Sequence, residues 1–444
     1  MSGIAEILVR QGFTVSGSDL STSEVTRHLE SLGVTVRQGH DPAHVEGAQA
    51  VVYSSAVSET NPERVRAKEL GIPVIRRAEM LAELMRMKTG IAIAGTHGKT
   101  TTTSLVGTVL TRAGLDPTVI VGGMVRDMDT NARLGAGEWM VVEADEYDRS
   151  FLKLTPSIAI MTIVEAEHLD TYGTIENLRD AFAAFANSVP FYGRVIISAD
   201  DPELTELRKR IERPVRTYGF ADGADVQGVD VELGLTSKCR VVANGQDLGT
   251  VELPLAGRHN LSNALAAVAA GLELDIPFAK ISEALGQFRG VRRRFDLRGE
   301  RGGVLVFDDY AHHPTEVGVT LRAAKDAYPD RPVVALFQPH LFSRTQRFYN
   351  EFADALALAD RVIVTDVYPA REEPIEGVNG KLVADKLTEN GHPSVQYVPR
   401  FQDIAPAAME SLTGNEMVIT LGAGNIYRAS NELLSLLAGR EGDA

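Results

Sequence analysis

Residues 90–103 read GIAIAGTHGKTTTT, an apolar strand pattern that runs directly into a Gly-Lys-Thr loop. A short continuous apolar run marks a strand covered on both faces in a parallel sheet. A Lys-Thr turn between such a strand and a helix is the arrangement that binds phosphate. The common spelling of that loop, G-x-x-x-x-G-K-[ST], puts its first glycine five residues before the second. Here that position is Ile93; the glycine stands at Gly95, and His97 lies inside the loop. Gly95 and Gly98 let the backbone curl around phosphate oxygens, with Thr96, His97 and Thr101 completing the cradle. Lys99 supplies a positive charge, and the Thr100 hydroxyl can complete a Mg2+ shell.

A magnesium nucleotide needs carboxylates, and two strand ends downstream carry them. WMVVEADEYD places Glu143, Asp145 and Glu146 after an apolar run, and IAIMTIVEAEHLDTYG places Glu165, Glu167, His168 and Asp170 after another. In an open parallel sheet the ligand crevice lies outside the carboxyl ends of the strands. Acids at neighbouring strand ends therefore converge on the terminal phosphate. On this reasoning His168 is the weaker ligand, because Mg2+ prefers oxygen to imidazole.

The rest of the chain repeats the α/β pattern. At 444 residues it exceeds what one core supports. Three blocks are expected: 1–88, 89–289 and 290–444. The first alternates helices (IAEILVRQG, EVTRHLESLG, NPERVRAKELG) with strands (TVSGSD, AVVYSSAV, PVIR). The second holds the phosphate loop, then a β-ribbon over residues 225–255 with a turn at Asn244-Gly245. The third runs through VLVFDDY, PVVALFQ, RVIVTDV and EMVITLG. MSGIAEILVRQGFTVSGSD reads as the helix and second strand of a dinucleotide-type unit, with Asp19 at the strand end. The expected first strand and glycine turn are missing, so a fragment or a misassigned start is expected.

Composition narrows the class. The apolar content of 44% and charged content of 24% are those of a soluble globular protein. A net charge of −15 argues against a nucleic-acid binder, whose partner demands a basic surface. The single cysteine, Cys239, forms no internal disulfide, which points to a reducing cytoplasm. No apolar run approaches the roughly 20 residues that span a bilayer.

Two kinds of nucleotide chemistry fit so far. A P-loop switch hydrolyses its nucleotide with a positioned water. A ligase instead phosphorylates a carboxylate and hands the acyl phosphate to an amine, which needs separate pockets and excluded water. The downstream motifs favour the ligase. LAGRHNLSNALAAVAA puts His259, Asn260 and Asn263 at a helix start, where amides can meet a base edge. GVRRRFDLRGE concentrates Arg292, Arg293 and Arg294 at the entry to the third block. VFDDYAHHPTEV carries Asp308, Asp309, Tyr310, His312 and His313, and FQPHLFSRTQRF carries His340, Arg344 and Arg347. Arginines at such strand ends can hold a carboxylate through paired hydrogen bonds.

These motifs together resemble the Mur ligase family, in its alanine-adding branch. AGTHGKTTT, EADEYD, EAEHLDTY, GRHNLSNALAA, RRFD, DDYAHHPTE, QPH…SRT and LGAGNIY run in family order to about residue 427. The SGSD and VYSSAVSETNPE segments resemble that family's UDP-sugar-binding domain and bring in Ser18, Asp19, Ser54 and Ser55. The resemblance implies three domains: a Rossmann-like UDP-binding domain, a central P-loop ATP-binding domain and a C-terminal Rossmann-like domain. It implies that ATP phosphorylates the lactyl carboxylate of UDP-N-acetylmuramate, and that the amine of L-alanine attacks the acyl phosphate. By the same resemblance Thr100, Glu143 and His168 hold Mg2+, while Asn260, Asn263, Arg294 and Asp309 bind nucleotide. Tyr310, His312, Arg344 and Arg347 position the substrates, with Lys99, His312 and Arg344 in catalysis and His312 the candidate base. The chain is expected to act as a monomer or homodimer without a nucleic-acid or membrane partner.

Three departures stand out: the missing first strand, Leu341 where many members carry arginine, and Glu167 where aspartate is common. The alternatives are a recycling ligase that attaches an intact tripeptide to the same sugar, and a P-loop ATPase switch or inactive nucleotide-binding paralogue.

Overall fold

The strand expected in GIAIAG, residues 90–95, forms as Thr89–Ala94 and lies within a ten-stranded sheet. A computed structural model describes residues 1–128, 130–167 and 169–442. In order across the sheet the strands are Gln246–Leu253, Ser237–Ala243, Val226–Glu232, Val215–Gly219, Arg194–Ser198, Ile158–Met161, Thr89–Ala94, Trp139–Glu143, Thr118–Val125 and Thr130–Arg133. Ile91, Ala92, Ile93 and Ala94 are fully buried, as a parallel strand covered on both faces requires. The predicted ribbon forms around Asn244 and Gly245, both at positive φ, but its strands extend the main sheet. A two-residue turn with both residues left-handed matches the twist of the flanking strands.

Parallel register sets where the strands end. Ile93 pairs with Glu143 on one side and Ile160 on the other. The Ala144 and Thr162 amides then donate to the Ile93 and Ala94 carbonyls at 2.8 and 3.0 Å. Glu143 and the segment from Thr162 are thus delivered to either side of the loop that opens at Gly95.

Helix Lys99–Arg112 follows that loop. Its four consecutive threonines are poor intrinsic helix formers. Burial of all four compensates, and the Thr103 and Ser104 hydroxyls donate back to the Lys99 and Thr100 carbonyls at 2.8 and 2.7 Å.

By compactness the chain divides into two units. The first comprises Met1–Val231, Cys239–Glu252 and Leu261–Arg289 and contains the large sheet. Its N-terminal part holds two separate two-stranded parallel sheets, Ser16–Asp19 with Thr35–Gln38 and Val51–Tyr53 with Val74–Arg76. The second comprises Glu232–Lys238, Leu253–Asn260 and Gly290–Ala444. It is built on a six-stranded sheet in the order Asp296–Arg301, Val304–Asp309, Met417–Leu421, Val333–Phe337, Arg361–Val364 and Val395–Tyr397. Its apolar runs divide by alternation. Leu305, Phe307, Ala335 and Phe337 face a core with helices Pro314–Ala327, Phe342–Leu356 and Lys381–Glu389. Val304, Val306, Val334 and Leu336 face one with helices Ile404–Met409 and Tyr427–Gly442. That is the doubly wound arrangement. No helix among the described residues is long and apolar enough to cross a membrane.

Candidate active site

Gly95 and Gly98 have φ of +133° and +82°, values only glycine adopts without strain. The space is as restrictive as the backbone: a Cβ on Gly95 would lie 2.1 Å from Thr162 Oγ1. The neighbouring strand end grips the loop. The Thr96 amide donates to the Ile163 carbonyl at 2.7 Å, Thr162 Oγ1 donates to the His97 carbonyl at 2.5 Å, and the Glu165 amide donates to Thr96 Oγ1 at 2.9 Å. His97 Nε2 lies 3.3 Å from Glu165 Oε2. The helix that starts at Lys99 directs its unpaired N–H groups and positive dipole end to this loop.

Lys99 Nζ donates to the Gly95 carbonyl at 2.6 Å, the Thr96 carbonyl at 3.1 Å and Glu146 Oε1 at 2.9 Å. Burial works against its charge, but the Glu146, Asp145 and Glu143 carboxylates outweigh it and hold the ammonium above the ordinary lysine range. Burial pushes the Glu146 carboxyl up to about 7, against the pull of Lys99. Thr100 Oγ1 donates to Glu143 Oε1 at 3.2 Å, and Glu143 Oε2 accepts from the Gly122 amide at 2.8 Å. Three of the four acids of EADEYD thus separate. Glu143 meets Thr100, Asp145 accepts from the Tyr147 amide, and Glu146 pairs with the lysine. A threonine hydroxyl against a carboxylate is a hard-oxygen donor set that fits Mg2+. His168, expected on the metal, lies outside the described residues.

Asn263, expected at a base edge, has its side chain on the loop: its Oδ1 accepts from Thr102 Oγ1 at 3.1 Å. Thr101 is buried in the same helical turn. In the second unit Asn260 is also buried, its amide donating to the Ala256 carbonyl at 2.8 Å.

In the N-terminal part, Ser18 Oγ donates to Glu63 Oε2 at 2.6 Å and lies 3.1 Å from His40 Nδ1. His44 Nδ1 meets the other Glu63 oxygen at 2.7 Å. Burial raises the Glu63 pKa, but Ser18, His44, the Asp41 backbone and His40 together hold it below the ordinary range. Asp19 Oδ1 caps the Ser21 amide at 3.1 Å, and Ser54 accepts from the Val57 amide through its carbonyl at 2.9 Å. Ser55 is exposed beside it. Sequence reasoning found Ser18 and missed His40, His44 and Glu63. The signal available was GHDPAHV, two histidines four residues apart, followed by the Asn61-Pro62-Glu63 helix start.

The second unit gathers its polar groups at the carboxyl ends of its strands. Asp309 is buried and accepts from the Phe295 and Ala311 amides at 2.7 and 2.8 Å. Burial pushes its carboxyl up to about 6, with Arg294 pulling the other way. Arg293 is engaged, 3.0 Å from Asp308 and 2.7 Å from the Gly422 carbonyl, with Tyr310 and Tyr427 rings against its guanidinium. Arg294 is more open, 3.8 Å from Glu316 and 5.3 Å from the Tyr310 ring centre. His312 Nδ1 lies 3.0 Å from the Tyr310 carbonyl and 3.1 Å from Glu316 Oε2. Glu316 was missed; it is the third residue of a helix that begins at Pro314, where a carboxylate caps the preceding amides.

His340 stacks on Tyr368 and meets His312 edge-on, with ring centres 5.8 and 6.0 Å away. Burial, then His312 and Arg344, lower its pKa to about 4. Arg344 sits in the first turn of helix Phe342–Leu356, whose preceding residue Leu341 has φ +71°. Arg347 is exposed and folds over the Phe348 ring at 4.8 Å, beside a kink in the helix. The charge of Arg344 acts on His340.

Comparison with known proteins accounts for nearly the whole chain. The family described as "Mur ligase family, catalytic domain" matches residues 1–89, "Mur ligase middle domain" residues 93–271, and "Mur ligase, glutamate ligase domain" residues 293–424. The chain belongs to the Mur ligase family. A UDP-N-acetylmuramate–L-alanine ligase of Salinibacter ruber is 51% identical, over 100% of this chain and 94% of that protein. The crystal structure of the UDP-N-acetylmuramate-alanine ligase of Thermotoga maritima superposes with a TM-score of 0.85 at 30% identity, covering 99% of this chain and 97% of that one. A murein peptide ligase of Psychrobacter arcticus follows at 0.73 and 26%, covering 98% and 96%. Within this Mur ligase chain the middle-domain match spans the Gly95–Thr100 loop, Glu143 and Asn263. The third match spans Arg294, Asp309, Tyr310, His312, Arg344 and Arg347.

Proposed function

We propose that this chain joins L-alanine to UDP-N-acetylmuramate at the expense of ATP, through an acyl phosphate, releasing ADP and phosphate in peptidoglycan precursor synthesis. The observation that carries the reading is the glycine-shaped loop at Gly95–Thr100, with Lys99 at its centre and the Thr100–Glu143 pair at its edge. The identity of full-length relatives supports the choice of substrates.

In this reading the loop amides and Lys99 hold the ATP phosphates, with Asn260, Asn263, Arg294 and Asp309 in the nucleotide site. Thr100 and Glu143, with His168, would hold Mg2+, which neutralises phosphate charge when bound. Ser18, Asp19, Ser54 and Ser55 belong to the UDP-sugar site. Tyr310, His312, Arg344 and Arg347 position the amino acid and the lactyl carboxylate. Catalysis rests on preorganised charge opposite the transferred phosphoryl group and the tetrahedral oxyanion. His312 Nδ1 faces two acceptors and so carries its proton there. The basic lone pair is left on Nε2, as a base for the alanine ammonium requires. We divide the protein as 1–88, 89–289 and 290–444 and place the reaction in the cytoplasm.

Mass spectrometry after incubation with ATP, UDP-N-acetylmuramate and equal amounts of L-alanine and a muropeptide-type tripeptide tests the reading. The alanyl product is expected. A tripeptide product would select the recycling ligase, and phosphate release without either product would select a switch-type ATPase.

A further inference from the structure

An ammonium group has three N–H donors and no acceptor. Lys99 spends all three within the protein, on the Gly95 carbonyl, the Thr96 carbonyl and Glu146. None remains for a phosphate oxygen, so nucleotide cannot engage Lys99 until at least one of these bonds breaks. Glu146 is the partner that competes by charge. Its side chain is 2% exposed, and the turn that carries it is fixed by Tyr172, whose hydroxyl donates to the Glu146 carbonyl at 2.6 Å. It stands three residues beyond Glu143 and bonds the lysine rather than the metal-facing hydroxyl.

We propose that Glu146 is a positioning residue that stands in for phosphate: it holds Lys99 at the loop and surrenders it when nucleotide arrives. The exchange lowers nucleotide affinity, because a carboxylate buried without its cation is costly. It equally speeds departure of ADP, because the lysine has a partner to return to. The inference rests on the nucleotide reading proposed above.

The test is MgADP affinity by calorimetry in the wild type and in Glu146→Gln, which keeps the side-chain shape and removes the competing charge. The variant should bind MgADP about three- to tenfold more tightly, up to about 1.4 kcal/mol, with slower ADP release and a lower KM for ATP without a higher kcat. Unchanged or weaker binding by a variant with wild-type circular dichroism overturns the proposal, since a merely structural role would lower stability without tightening nucleotide. A structure of the wild type with MgADP gives an answer that does not depend on the variant. Lys99 Nζ should bond a phosphate oxygen and lie beyond hydrogen-bond distance of Glu146. A retained Lys99–Glu146 bond overturns the exchange. Wild type that binds no MgADP at all overturns the nucleotide reading and this inference with it.

Discussion

Asn263 Oδ1 accepts the Thr102 hydroxyl at 3.1 Å and lies 2.7 Å from where a Cβ on Gly98 would sit. One amide thus buttresses the first turn of the phosphate-loop helix and closes the space beside the loop's second glycine. Replacing Asn263 by Leu leaves a buried hydroxyl without its acceptor, a loss of about 1–3 kcal/mol. The expected result is a lower thermal midpoint together with weaker MgADP binding, measured by calorimetry and melting. Weakened binding at unchanged stability would instead put the amide on the nucleotide itself.

Gly95→Ala meets two obstacles together, a φ of +133° and an approach of 2.1 Å to Thr162 Oγ1. MgADP binding should fall by more than about tenfold, or 1.4 kcal/mol, while UDP-N-acetylmuramate still binds. Retention of both affinities would show that the loop tolerates a side chain and that its shape does not govern phosphate binding.

Glu143→Ala removes the carboxylate that meets Thr100 Oγ1 and the Gly122 amide. Titrating activity with Mg2+ should show a requirement raised by about tenfold or more, or no activity at saturation. An unchanged magnesium curve would take Glu143 out of the metal site.

Acidification should weaken the protein in two separate windows. Burial, then Arg294, lower the His259 pKa from 6.5 to about 4, so the unfolded chain binds this proton more readily than the folded one. Stability from keeping His259 neutral is therefore present above pH 6.5 and is lost as pH falls from there towards 4, by roughly 3 kcal/mol. Glu416 behaves in the same sense, in a lower window. Burial raises its pKa, but Thr413 and the Thr413 and Gly414 amides outweigh it and hold the carboxyl at about 2. Its contribution is present above pH 4.5 and is lost only as pH falls from there to 2. Denaturant midpoints measured from pH 7 to 3 should fall first through the histidine window. In His259→Gln the decline between pH 6.5 and 4 should be shallower, and an equally steep decline would assign that window to other groups.

The loop could be read from the sequence because phosphate binding constrains residues that are adjacent in the chain: Gly95, Gly98, Lys99 and Thr100. Glu143 was legible for a related reason, standing at the end of an apolar run whose sheet position follows from parallel packing. Glu146 was not. Nothing in EADEYD distinguishes an acid that meets Thr100 from one that meets Lys99 three residues later; the turn after Asp145 decides it. Ser18 and Glu63 stand 45 residues apart and share a hydrogen bond that no local pattern announces.

The strand Asp296–Arg301 was missed because DLRGER carries one large apolar residue, Leu297, and no apolar alternation, as an exposed edge strand permits. Its one sign was Gly302-Gly303, both at positive φ, the turn of a tight hairpin with Val304–Asp309. Asn263 was expected to face a base, whereas its contact with Thr102 depends on where a helix distant in sequence comes to rest.

In this enzyme nucleotide is proposed to be consumed to activate a carboxylate for an amine, and ADP release with each reactant omitted in turn measures that coupling. With ATP, Mg2+, UDP-N-acetylmuramate and L-alanine all present, ADP should appear steadily, one per alanyl product. Omission of either the sugar nucleotide or the amino acid should reduce that rate at least about tenfold, a difference of 1.4 kcal/mol in the barrier. ADP released at an undiminished rate without them would contradict the account.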